Sequence, residues 1–144
     1  MSRLVLMLVI LFSVLSCTES QIIHDKKILL TSTRWRLQQG MGFQRSDWTF
    51  KKDGTYVDAP VETDGKKNYI IVGEWRMKSP DEIILRQEQM IVKGRMIDIE
   101  DEKYNYHILR ITTLSNTRLE GSLRHNADFE HALFAESMTF LAEK

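Results

Sequence analysis

The side chains able to do chemistry fall into polar clusters and a series of aromatics. His125, Asp128, Glu130 and His131 lie close together. Imidazoles and carboxylates suit zinc, but a zinc site needs fixed ligand geometry and a supporting layer of hydrogen bonds. Their spacing matches no zinc pattern, so a solvated loop is expected. Asp98, Glu100, Asp101 and Glu102 lack the glycine that a calcium loop needs at its bend. Asp58, Glu62 and Asp64 with Gly65 fare little better. His24 stands apart. His107 sits in a strand pattern that allows it to face inward, though a satisfied or exposed imidazole is the expectation. No G-x-S-x-G elbow and no glycine-rich phosphate loop occurs. The lone thiol, Cys17, excludes an internal disulfide and a cysteine-clustered zinc site. The expectation is a non-enzymatic chain with no metal and no cofactor.

The aromatics carry more information. Trp35, Trp48, Phe50, Tyr69, Trp75, Tyr106 and Phe140 fall on strand-like segments, on the face expected to point inward. Two outcomes are open: the rings line a cavity for a small apolar ligand, or they fill the interior. Burial of each would stabilise the fold by roughly 1.5–3 kcal/mol. The short chain and the bulk of these residues favour filling.

The elements that must position them are mostly strands. Ile23–Leu30 is predicted as a short helix. Trp35 and Leu37 alternate in Thr33–Gln38, as do Trp48 and Phe50, and Asp53-Gly54 marks a hairpin. Thr55–Val57 returns from it, and 58–67 reads as a loop. Asn68–Met77 is the longest clear strand, followed by a turn at 78–81 and a strand over Glu82–Gln87. Met90–Ile99 is ambiguous around Gly94, either one bent strand or two short ones. Strands over Tyr104–Thr113, Arg118–Leu123 and Phe134–Leu141 complete the chain. Eight or nine short strands joined as sequential hairpins predict an all-β, small up-and-down antiparallel β-barrel. The 144 residues suit one domain, and 20 basic against 20 acidic side chains give no general attraction to nucleic acid.

The N-terminus reads as an address. Arg3 precedes an apolar run over Leu4–Leu15, which as a helix would reach about 18 Å, short of the ~30 Å hydrocarbon core. These parts suit a secretory signal. Val14-Leu15-Ser16-Cys17 resembles the lipobox of bacterial lipoproteins, although Val14 and Leu15 depart mildly from the preferred residues. The resemblance implies cleavage before Cys17, lipid on its thiol and amine, and anchoring by several acyl chains. Thr18 in place of Asp implies the outer membrane rather than the inner. Residues 1–16 are then a signal peptide, 17–28 the lipidated cysteine and a short tether, and 29–144 the barrel.

The barrel segments resemble the small lipocalin-like domains of Bacteroidetes lipoproteins. The segment from Leu29 to Leu37 is similar to that family's opening L-x-G-x-W strand, with Ser32 or Thr33 where glycine is expected. Trp48–Tyr56 is similar to its F-x-x-D-G-T-Y hairpin, Gly73-Glu74-Trp75 to its G-x-W strand, and Tyr106–Thr112 to its Y-x-I-x-x-L-T strand. Met90–Glu102 has no counterpart. The resemblance implies a lipocalin-like barrel without fixing an activity. The leading functional expectation is an accessory lipoprotein with a packed core, docking on another envelope protein. The alternative is a barrel that binds a small hydrophobic ligand, and a hydrolase or inhibitor stands third.

Overall fold

A computed structural model describes residues 18–39, 46–60, 69–100, 105–125 and 135–143. The first element, α1, covers residues 18–31. It includes the Thr18–Gln21 stretch expected as a tether. Nothing between 18 and 31 breaks a helix, and Gln21 Nε2 donates to Asp25 Oδ1 one turn on at 2.8 Å. The half-buried Ile23 and Lys26 and the buried Leu30 share one stripe, with helical spacing, against the barrel.

Nine strands follow among the described residues: β1 (Arg34–Gln39), β2 (Ser46–Phe50), β3 (Thr55–Pro60), β4 (Tyr69–Ser79), β5 (Glu82–Val92), β6 (Arg95–Asp98), β7 (Tyr106–Leu114), β8 (Arg118–His125) and β9 (Ala135–Glu143). All pair antiparallel. Eight form a closed ring in chain order, with β6 omitted: β4 pairs β5, and β9 returns to β1. This is the up-and-down barrel expected from the sequence. The ninth strand, β6, pairs only with the distal part of β5, beyond where β7 takes over. Of the two readings around Gly94, two strands is the outcome. Lys93 and Gly94 both take positive φ (49° and 76°) and join β5 to β6 as a two-residue hairpin. The strand expected to stop at Gln87 therefore runs on to Val92.

The β2–β3 connection forms at the Asp-Gly signal. Gly54 N donates to Lys51 O at 3.1 Å, Gly54 takes φ 89°, and Asp53 Oδ1 accepts from Thr55 N at 2.9 Å. A four-residue turn with the glycine left-handed matches the twist of the two strands.

The interior has two halves. Near α1 it is filled: Leu30, Trp35, Phe50, Ile83, Leu109, Leu119 and Phe140 are all essentially inaccessible. Trp35 Nε1 donates to Leu30 O at 3.0 Å, which fixes the end of α1 as a plug, and Trp75 Nε1 donates to Lys51 O at 2.9 Å. Both rings thus bury their apolar bodies with their N–H groups satisfied. Lys26 Nζ reaches Pro80 O and Asp81 Oδ1 on the β4–β5 turn, holding the helix over this end. On the outer wall Arg36 joins Asp47 at 3.1 Å and also meets Glu143, bridging the seam between β1 and β9.

Candidate functional site

The other half of the barrel is hollow. The strand alternation that packs Phe50, Trp75 and Leu109 at one end continues to Trp48, Ile71 and His107 at the other. There the inward side chains leave a cavity of about 270 Å³. Its walls are mainly apolar: Leu37, Trp48, Ile71, Leu85, Leu123 and Met138. Ser46, Pro60 and Tyr69, which line its outer part, are the terminal residues of β2, β3 and β4, at the end away from α1.

Polar groups enter from five strands, β2, β3, β4, β5 and β7. β2 and β3 place Trp48 opposite Asp58, and β4 places Ile71 opposite Asp58, so all three face inward on one row. Ser46 Oγ donates to Asp58 Oδ1, and the Trp48 side chain also hydrogen-bonds this carboxylate. Even so, burial prevails and raises the Asp58 carboxyl to about 6. The next row is Phe50, Tyr56 and Gly73. Tyr56 is 1% exposed, and its hydroxyl lies beside the Gln87 amide without a hydrogen bond of good geometry. Burial, then the charge of Asp58, pushes the Tyr56 phenol far above its ordinary range. The same two causes raise Tyr69. From β7, His107 joins the lining at 6% exposure.

Two sequence details shape this wall. A Cβ on Gly73 would stand 2.0 Å from the Arg86 carbonyl oxygen and 2.7 Å from Tyr56 Cε1. Only glycine lets β5 and the Tyr56 ring approach β4 so closely. Directly after it, Val72 pairs Gln89 whereas Gly73 pairs Gln87, so Glu88 is an extra residue in β5. That bulge changes the phase of the strand and leaves both Gln87 and Met90 opposite inward residues.

The seven aromatics of the sequence reading separate. Trp48 and Tyr69 line the cavity. Trp35, Phe50, Trp75 and Phe140 belong to the packed half, with Trp48 and Phe140 ring centroids 4.9 Å apart across the boundary. Tyr106 corrects the inward assignment. It alternates with the buried Asn105 and His107, pairs with Arg86, and lies half-buried on the outer wall beside Glu74 and Arg76. His107, whose strand pattern allows it to face inward, does so. Tyr56, Asp58 and Gln87 are lining residues that the sequence analysis does not name as such. Period-two spacing from Tyr56 reaches Asp58 once the strand is carried past Val57, and spacing on from Leu85 reaches Gln87.

Cys17 and the leader before it lie outside the described residues, as do Asp128, Glu130 and His131 of the first polar cluster, Asp101 and Glu102 of the second, and Glu62, Asp64 and Gly65 of the third. Among the described residues no group of three His, Cys, Asp or Glu side chains is placed to hold a metal.

No family model and no curated protein matches the chain. A solved structure does: a lipocalin-like protein from Bacteroides uniformis, with a TM-score of 0.51 and 15% identity over 80% of this chain and 99% of that one. At that identity the likeness establishes a shared lipocalin-like barrel fold.

Proposed function

We propose that this barrel binds a small, largely apolar molecule in its open half. The observation that carries this reading is the cavity of about 270 Å³, walled by apolar side chains and crossed by a few polar groups. Binding sites for small molecules have that composition, and this one lies just below their usual range of roughly 300–1,000 Å³, which suits a small ligand. A protein built only for docking has no need to leave Tyr56 and Asp58 facing a void. The hollow half therefore favours ligand binding over the packed accessory barrel that the bulk of the aromatics suggested.

The test is a calorimetric titration with phenethyl alcohol, a neutral molecule of fitting size. Saturable one-to-one binding is expected. Leu123→Phe, which places extra volume in the cavity from β8, should abolish it while far-UV and near-UV circular dichroism stay unchanged. Binding that survives Leu123→Phe would place the ligand elsewhere and defeat the proposal.

We further propose that the barrel works at an outer membrane, held by lipid on Cys17. The lipobox-like Val14–Cys17 segment supports this, and Thr18, the next residue, is already part of α1, leaving little chain between lipid and barrel. Cys17→Ser should move the protein from the membrane fraction to the supernatant in a folded form. Continued membrane association of that variant would rule the anchor out.

A further inference from the structure

The cavity is charged in a one-sided way. Of its lining residues only Asp58 is a carboxylate, and among the described residues no lysine or arginine reaches it. The groups that share the cavity with this carboxylate differ from wall to wall. β2 offers Ser46 and Trp48, β3 offers Tyr56, and β4 offers Tyr69. β5 offers Gln87 and β7 offers His107, whereas β1, β8 and β9 contribute only Leu37, Leu123 and Met138. Resting on the ligand-binding reading above, we infer that the ligand is an apolar molecule bearing a protonated amine, held by Asp58 and by the ring faces of Trp48, Tyr56 and Tyr69.

Four features point this way. A carboxylate in apolar surroundings is costly unless a cation or several donors meet it, and Ser46 and Trp48 meet it only in part: its carboxyl remains raised. Electron-rich rings stand around it, as cation recognition uses. An anionic ligand such as a fatty acid would bring like charge to Asp58 with no lysine or arginine among the described lining residues to offset it. The buried Tyr56 hydroxyl, next to Gln87, can accept a second hydrogen from the same ammonium group.

The test uses three molecules of similar shape and different charge: phenethylamine, phenethyl alcohol and hydrocinnamate. Each is titrated into the full chain by calorimetry, in the native sequence and in Asp58→Asn. At pH ~7.5 the amine should bind about tenfold or more tighter than the alcohol, as a charge-assisted hydrogen bond gives. Hydrocinnamate should bind weaker than either. The preference for the amine should vanish in Asp58→Asn, and in the native sequence it should shrink when the pH falls to ~5, where the carboxyl takes up a proton. Protonation of His107 would repel the same cation, so the pH step must itself disappear in Asp58→Asn. Equal binding of amine and alcohol would overturn the charge selection and leave the ligand-binding reading standing. Tightest binding of hydrocinnamate would do the same, as would an amine preference or pH step that persists in Asp58→Asn. Failure of all three to bind would overturn both.

Discussion

Asp58→Asn is expected to make the unliganded protein more stable, by up to about 3 kcal/mol at pH ~8 and by almost nothing below pH ~4. The sign follows from linkage. The Asp58 carboxyl sits at about 6 in the folded chain, against an ordinary 3.8, because burial disfavours its charged form. Between those values the folded state holds the proton more tightly than the unfolded state does. Stability contributed by the protonated form is complete below the unfolded value and is lost as the pH rises through the folded one. Asparagine keeps an acceptor for Ser46 and Trp48 without the charge, so the loss disappears. Urea denaturation across the pH range reads the effect directly, as a shift in midpoint at constant slope. Near pH ~8 the melting temperature should rise by roughly 10 °C. Destabilisation of Asp58→Asn at that pH would mean that the carboxylate is held by partners that stabilise it, and that it belongs to the fold rather than to a ligand. The expected gain is the signature of a site kept at the expense of stability.

The second large effect is at Gly73. Gly73→Ala should destabilise the barrel by about 3 kcal/mol or more, the upper range for overpacking. The new methyl would meet the Arg86 carbonyl oxygen at 2.0 Å, and that atom belongs to the backbone of the neighbouring strand, so no rotamer change relieves it. It would also press on Tyr56 Cε1 at 2.7 Å, driving the ring toward the cavity. Both consequences are measurable: a lower urea midpoint, and weaker binding of phenethyl alcohol in the fraction that remains folded. A Gly73→Ala protein with unchanged stability would show that β4 and β5 can separate there without cost.

Most of the barrel could be read from the chain because its signals are local. Trp35 and Leu37, Trp48 and Phe50, and Ile83 and Leu85 alternate cleanly, and Asp53-Gly54 marks its own turn. The hollow half could not be read as easily, since it depends on where strands end and on register between them. β3 extends through Asp58, Ala59 and Pro60, although aspartate and proline are usual marks of a loop. Its pairing with β2 as far as Pro60, and with β4 as far as Asp58, sustains it there. Gln87 keeps the alternation of Ile83 and Leu85, but the extra residue Glu88 changes the phase of β5 beyond it and sets Met90 opposite the inward Ile71, a tertiary event without a local mark. Tyr106 went astray by one residue, and in a strand one residue is the difference between core and outer wall. In the packed half Trp35, Phe50, Trp75 and Phe140 fill the interior. The mixture of filled and empty, rather than one or the other, was beyond what composition could distinguish.

The function proposed for this barrel requires that a small molecule enter it. The direct measurement is the change in amide and indole resonances, by heteronuclear correlation spectroscopy, as phenethyl alcohol is added. Shifts should cluster at Trp48, Tyr56, Ile71, Leu85 and Leu123, with Leu30, Trp35 and Leu119 in the packed half left unmoved. Shifts centred instead on α1 or β6, or none at saturating alcohol, would contradict ligand binding in the cavity.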